Sequence, residues 1–217
     1  AAPPICTYDA SADLAALTDG VAPLAYGGGP SSRMVVWGET AFPVAWTPDD
    51  AVVAAAARVR EGRALHVGHE GQLSGGLTSG GAGDLVRNAL EWMAPGDDAV
   101  IGVSPGMDTI RAWLDDEGYT TISAGPAELA DVDVWVTTTY EDHDAATDQD
   151  IRDWIEAGGG VIAGGHAWWW AYSTGGDDPF NDHPGNQWLG VSGLTLSGST
   201  AGEAEVPVGT EPAPLLH

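Results

Sequence analysis

The chain has 217 residues, 43% of them hydrophobic, enough for one sizeable core with a tail. Thirty-two acidic residues stand against seven basic ones, all Arg and none Lys, and the formal charge of -25 argues against nucleic acid and anionic membrane surfaces as partners. The longest apolar runs fall short of the roughly 20 residues a spanning helix needs, so no membrane insertion is expected. The acidity itself reads as a solubility adaptation to a salty or extracellular setting, with calcium sites as the alternative.

The opening Ala1-Ala2-Pro3-Pro4 suits a mature chain after signal-peptide removal or a segment of a longer protein, and export is the reading favoured here. Cys6 is the single cysteine, so no intrachain disulfide forms. Residues 10–17 read as a short helix, followed by a loop from Gly20 to Ser32 that carries Gly27-Gly28-Gly29-Pro30. Met34–Trp37 and Phe42–Trp46 read as adjacent strands, with Pro43 suited to an edge. The Ala-rich run 51–59 is helical by propensity, yet Arg60-Glu61-Gly62-Arg63 and then Ala64–Gly68 favour an antiparallel hairpin.

Asp84–Met93 places apolar residues at 85, 86, 89, 90, 92 and 93, a helical stripe that Pro95-Gly96 ends. Strands are then expected at 99–103, 120–123, 132–138 and 161–164, with helices at 108–117 and 147–157. Gly118 and Gly158 suit helix C-terminal positions, and Thr147 suits the second helix start. The alternation predicts an α/β fold: a mostly parallel sheet with helices on both faces, flavodoxin-like or class I amidotransferase-like, with an antiparallel hairpin in the N-terminal half. After Gly198 the pattern lapses into Ser, Gly, Glu and Pro. The expected organisation is therefore an N-terminal extension (1–33), an α/β domain (34–198) and a linker-like tail (199–217).

In doubly wound sheets the residues just beyond the strand C-termini carry ligands. Three such ends are polar or aromatic: Gly68–Leu73, Thr138–His143 and Gly164–Trp170. His69-Glu70 begins like the zinc-peptidase motif, but Leu73 stands where its second His must be. The turn at Gly164-Gly165-His166 has the setting of a nucleophile elbow without Ser or Cys at its apex. His66, His69, Glu70, Glu141 and His166 converge on paper as a metal or acid/base cluster, against the blander reading of satisfied strand-end histidines. Trp168-Trp169-Trp170 cannot all face one core, because successive helical residues turn by about 100°. An exposed Trp there is a platform for sugar or peptide, and a buried one an anchor. The acidic stretches Asp142–Asp150 and Asp177–Asp182 lack the spacing of a calcium loop.

The runs Gly38–Pro43, Glu61-Gly62-Arg63, Val67–Leu73, Asn88–Trp92, Trp154–Gly160 and Gly164–Trp170 resemble the N-terminal domain of TRP channel-associated factors and of enhancin-like mucin-degrading metallopeptidases. The resemblance covers about residues 34 to 190 and implies a class I glutamine amidotransferase-like fold lacking its catalytic cysteine. It further implies that proteolysis belongs to a separate downstream zinc domain. The expected function is thus a noncatalytic accessory or ligand-binding domain of a secreted, glycoprotein-directed protein, with glycan, glycoprotein or a downstream catalytic domain as partner. A His/Glu hydrolase and a structural spacer are the alternatives. No catalytic residue is assigned. The candidate ligand-binding residues are His69, Glu70, Tyr140, Glu141, His166, Trp168 and Trp169, and no cofactor is expected, with calcium or zinc left open.

Overall fold

The computed structural model describes residues 8–25, 29–96, 98–202 and 205–211. The opening dipeptides, Cys6, Gly27-Gly28 and the last six residues of the tail lie outside that range. The strands are β1 (Leu24–Ala25), β2 (Ser31–Val36), β3 (Ala41–Trp46), β4 (Val52–Val59), β5 (Gly62–Val67), β6 (Val100–Val103), β7 (Thr120–Ser123), β8 (Val134–Thr138), β9 (Gly160–Gly164), β10 (Leu194–Ala201) and β11 (Glu205–Val206). The helices are α1 (Ser11–Thr18), α2 (Ala82–Met93), α3 (Asp108–Asp116), α4 (Ala145–Glu156), α5 (Ala167–Thr174), α6 (Pro179–Asp182) and α7 (Pro184–Leu189).

Seven strands form one sheet in the order β3-β4-β5-β9-β8-β6-β7. β5, β9, β8, β6 and β7 run parallel, while β4 and β3 extend the β5 edge antiparallel. The expected mixed α/β architecture with a hairpin in the N-terminal half is therefore present. Side chains alternate across the sheet: Val134 and Val136 of β8 join the core beneath α2 and α3, whereas Trp135 packs with Ile151, Ile155 and Trp188 on the opposite face. Such double burial is what makes these strands read as continuous apolar runs.

Three expectations are corrected. First, β2 and β3 are not partners: β2 pairs with β10, some 160 residues later, and this pair lies over the sheet with Met34, Leu194 and Leu196 against Ala55 and Ala57. That close overlay explains the alanine run, which forms a strand because small side chains leave room for a second layer, overriding helical propensity. Second, the stretch after Gly198 keeps regular structure: Ser199–Ala201 complete β10, β11 pairs with β1, and the Gly209 N–H donates to Val44 O at 2.7 Å. Its polar residues occupy exposed strand positions, which composition alone reads as linker. Third, α4 begins at Ala145, because the Asp144 carboxylate accepts the Thr147 N–H at 2.8 Å and caps the helix two residues ahead of expectation. The loop 20–32 likewise contains β1 and the start of β2.

Candidate functional site

β5, β9 and β8 are neighbours and parallel, so their C-terminal ends open onto one rim. They deliver His69-Glu70, His166 and Tyr140 respectively. Glu70 Oε2 lies 2.7 Å from His166 Nδ1 and 2.7 Å from the Tyr140 hydroxyl. Tyr140 donates to that carboxylate and accepts the His166 backbone N–H at 2.8 Å, and its oxygen also stands 2.8 Å from His166 Nδ1. The buried Nε2 of His166 has no hydrogen-bond partner among the described residues. His69 packs edge-on against His166 with ring centroids 4.0 Å apart, and its Nδ1 accepts the Gly71 N–H at 2.9 Å.

The backbone permits this convergence at one tight point. A Cβ at Gly165 would sit 2.0 Å from Thr139 Oγ1, so only glycine lets β9 and β8 end so close together. His166 follows in an extended conformation (φ -121°, ψ 115°), not the strained turn of a nucleophile elbow.

Burial would raise the Glu70 carboxyl, but the bonds from His166 and Tyr140 outweigh it and hold the group at about 2. Burial, with Glu70 beside it, pushes the Tyr140 phenol up. Burial, reinforced by His166, lowers His69 to about 4. The network is thus an ionised carboxylate bonded to a neutral phenol, with a neutral His69 ring beside it.

Of the seven candidate residues, four meet here: His69, Glu70, Tyr140 and His166. Glu141 does not, since its side chain is exposed on the loop after β8. His66 also stays apart, fully buried within β5. Trp168 is half-buried, touches the His166 ring at 5.3 Å and donates its indole N–H to Pro30 O at 3.1 Å, an anchoring role. Trp169 is 46% exposed and lies against Tyr172, itself 78% exposed, at 5.6 Å with rings 31° apart. The aromatic block therefore divides as its helical spacing requires. His69, Glu70 and His166 bring their ligand atoms within 4.8 Å of one another, the geometry of a candidate metal cluster. Within that cluster the His69 Nδ1 accepts the Gly71 N–H and Glu70 Oε2 is in contact with His166 Nδ1, so the ring Nε2 of His166 is the atom left to that imidazole for a ligand. The acidic stretches act locally, Asp144 capping α4 and Asp178 capping α6.

Sequence reasoning missed His183. It precedes α7, is fully buried, and packs between the Tyr140 and Trp170 rings at 6.2 and 5.6 Å. Beside it opens a cavity of about 500 Å³ lined by Tyr140, Trp169, Trp170 and the carboxylates of Asp142 and Asp182, with Ser173, Thr174 and Pro184 completing the wall. A smaller cavity of about 140 Å³ adjoins Glu70 on the other side, toward Met107 and Thr138.

The fold and this rim define an α/β domain whose parallel strand ends gather a buried Glu-Tyr-His network beside an aromatic cavity. Residues 3–210 match the family TCAF_N, described as "TRPM8, N-terminal domain". The chain belongs to that family. It is 34% identical over 195 residues to a TRPM8 channel-associated factor homolog of Danio rerio, covering 89% of this chain and 20% of the relative. With TRPM8 channel-associated factor 2 of Bos taurus it shares 32% over 192 residues, 88% of this chain and 20% of the other. Among solved structures, the IMPa metallopeptidase from Pseudomonas aeruginosa superposes with a TM-score of 0.63 at 16% identity, over 86% of this chain and 21% of that one. The same protein in complex with an O-glycopeptide gives 0.65, over 86% and 22%. At that identity the likeness shows the fold. The chain spans about a fifth of the length of these proteins.

Proposed function

We propose that this is a noncatalytic, ligand-binding accessory domain that works beside other domains of a longer, glycoprotein-directed protein. The observation that carries the reading is the exposed Trp169–Tyr172 pair at the sheet rim, since two adjacent rings open to solvent, tilted 31° to each other, offer aromatic faces on which a sugar ring can stack. Beneath it, Glu70 is held by His166 and Tyr140, and His166 Nδ1 in turn by Glu70. A carboxylate–imidazole pair can polarise a hydroxyl or thiol nucleophile, but the elbow position after β9 carries His166 itself. The fold likeness to a metallopeptidase solved with an O-glycopeptide supports the glycoprotein-directed setting. The amidotransferase-like reading of the fold and an exported location belong to the same proposal, supported by the converging parallel strand ends and by the acidic, Lys-free composition.

The test is glycan-array binding followed by calorimetry on the best ligand, with wild type, Tyr172→Ala and Trp169→Ala. Binding that drops at least about tenfold in both folded variants supports the platform. Binding unchanged in both removes it, and absence of glycan binding by the folded wild type removes the glycan reading.

A further inference from the structure

The cavity between Tyr140, Trp169 and Trp170 has a chemistry distinct from that of the outer Trp169–Tyr172 face. Its oxygen atoms all present lone pairs. The Ser173 and Thr174 hydroxyls spend their protons on Trp170 O, at 3.1 and 2.7 Å. The Tyr140 proton goes to Glu70. Asp142 and Asp182 contribute carboxylates, and among the described residues no ion pair neutralises either of them. No Arg lines the cavity, and the sequence has no Lys.

Aromatic faces carry negative potential, and carboxylates carry full negative charge, so walls of both kinds converge on the same ligand class. An anion is repelled here, within a chain of formal charge -25. A neutral ligand without donor groups would cover two carboxylates uncompensated, which costs desolvation energy, and one with hydroxyls would meet them by hydrogen bonds alone, without neutralising their charge. A cation satisfies both walls at once. We infer that the cavity is a binding site for an organic cation, with an alkylammonium head lying against Trp169 and Trp170 and facing Asp142 and Asp182. The volume of about 500 Å³ accommodates a trimethylammonium group and a short stem. Behind one aromatic wall, the fully buried His183 ring packs against Trp170 with centroids 5.6 Å apart and planes 77° apart.

Choline and 3,3-dimethylbutan-1-ol, alike in shape and different only in charge, are the probes. Calorimetric or NMR titration of the wild-type protein at low salt is expected to show saturable choline binding at least about tenfold tighter than that of the alcohol. The Asp142→Asn/Asp182→Asn variant should bring the two to within about threefold of each other, because both positions are exposed and the fold is untouched. Trp170→Phe should retain the preference for choline, since an aromatic face remains. Equal binding of both probes, or no saturable choline binding by the folded wild type, overturns the assignment. So does a choline preference that persists undiminished in the Asn variant. Tyr172→Ala, which removes only the outer face, should leave choline binding intact, so a failed glycan experiment and a failed choline experiment are separable.

Discussion

Glu70 and His166, nearly one hundred residues apart in sequence, share a hydrogen bond of 2.7 Å at the centre of the sheet rim. Tyr140 closes the triangle from the third strand end. Removing either end of such a charged, partly buried contact leaves its partner without compensation. Glu70→Gln and Tyr140→Phe are each expected to lower unfolding stability by about 1–3 kcal/mol. The double variant should lose less than the sum of the two, as chemical denaturation will show. Strict additivity would mean that the three groups do not act as one network.

Acid should destabilise the fold in two stages. Burial, with His183 and His166 nearby, lowers His66 to about 3, and burial with His166 nearby lowers His69 and His183 to about 4. Each of these is depressed below the ordinary histidine value of about 6.5, so the unfolded chain takes up protons first. Their contribution is fully present above about pH 6.5 and declines as pH falls toward 4. Glu70 and Asp13 are held at about 2. For Asp13, burial opposes the shift, and bonds from Arg58, Tyr8 and Trp92 prevail. Their contribution is present above the unfolded carboxylate values and is lost as pH falls through about 4 to 2. Denaturation midpoints at pH 8, 6, 5 and 4 should therefore fall progressively, with the decline beginning below pH 6.5. A constant midpoint between pH 7 and 4.5 would contradict the histidine assignment.

Gly165→Ala should be costly at a position with no positive φ, because its methyl group meets Thr139 Oγ1 at 2.0 Å. A loss of about 1–3 kcal/mol is expected from the forced separation of β8 and β9. Thr139→Ala alone should be mild, and combined with Gly165→Ala it should recover part of the loss. If the pair is no better than Gly165→Ala by thermal denaturation, the clash lies elsewhere.

Salt should stabilise. At 0.01 M the Debye length is about 30 Å and at 1 M about 3 Å, so sodium chloride relieves the self-repulsion of a chain with formal charge -25. The melting temperature is expected to rise across that range. Because Asp144 and Asp178 are committed as helix caps, calcium at matched ionic strength should add nothing further. A flat salt series would refute the repulsion, and a calcium-specific rise would reveal a site in the acidic loops.

The parallel half of the fold was legible because each element there obeys a local rule. Ile110 and Leu114 recur at helical spacing in α3, and the apolar β8 and β9 are bounded by Asp133 and by glycines. The strand-end rule then brought His69, Glu70, Tyr140 and His166 together without any long-range information. Two kinds of fact resisted. The pairing of Met34 with Leu196 joins segments whose patterns say that each is a strand but not which strand each meets. His183, between two helices of four and six residues, has no periodicity around it, and its burial follows from the Trp170 and Tyr140 rings that close over it. Glu141 shows the converse failure: adjacency to Tyr140 says nothing of direction in a loop, where side chains follow no fixed alternation.

The way the main sheet stops has a consequence for how molecules of this protein meet one another. β3 is its border on one side, and there Pro43 supplies no N–H, the register is broken between Pro43 and Ala45, and Val208 and Gly209 already bond to Ala45 and Val44. On the far side β7 offers only four residues. A second chain seeking to add itself as a strand finds one flank already taken and the other too brief to hold it, while like charge opposes its approach. Contacts with other molecules are thereby directed away from backbone recruitment and toward the side-chain surfaces at the strand ends.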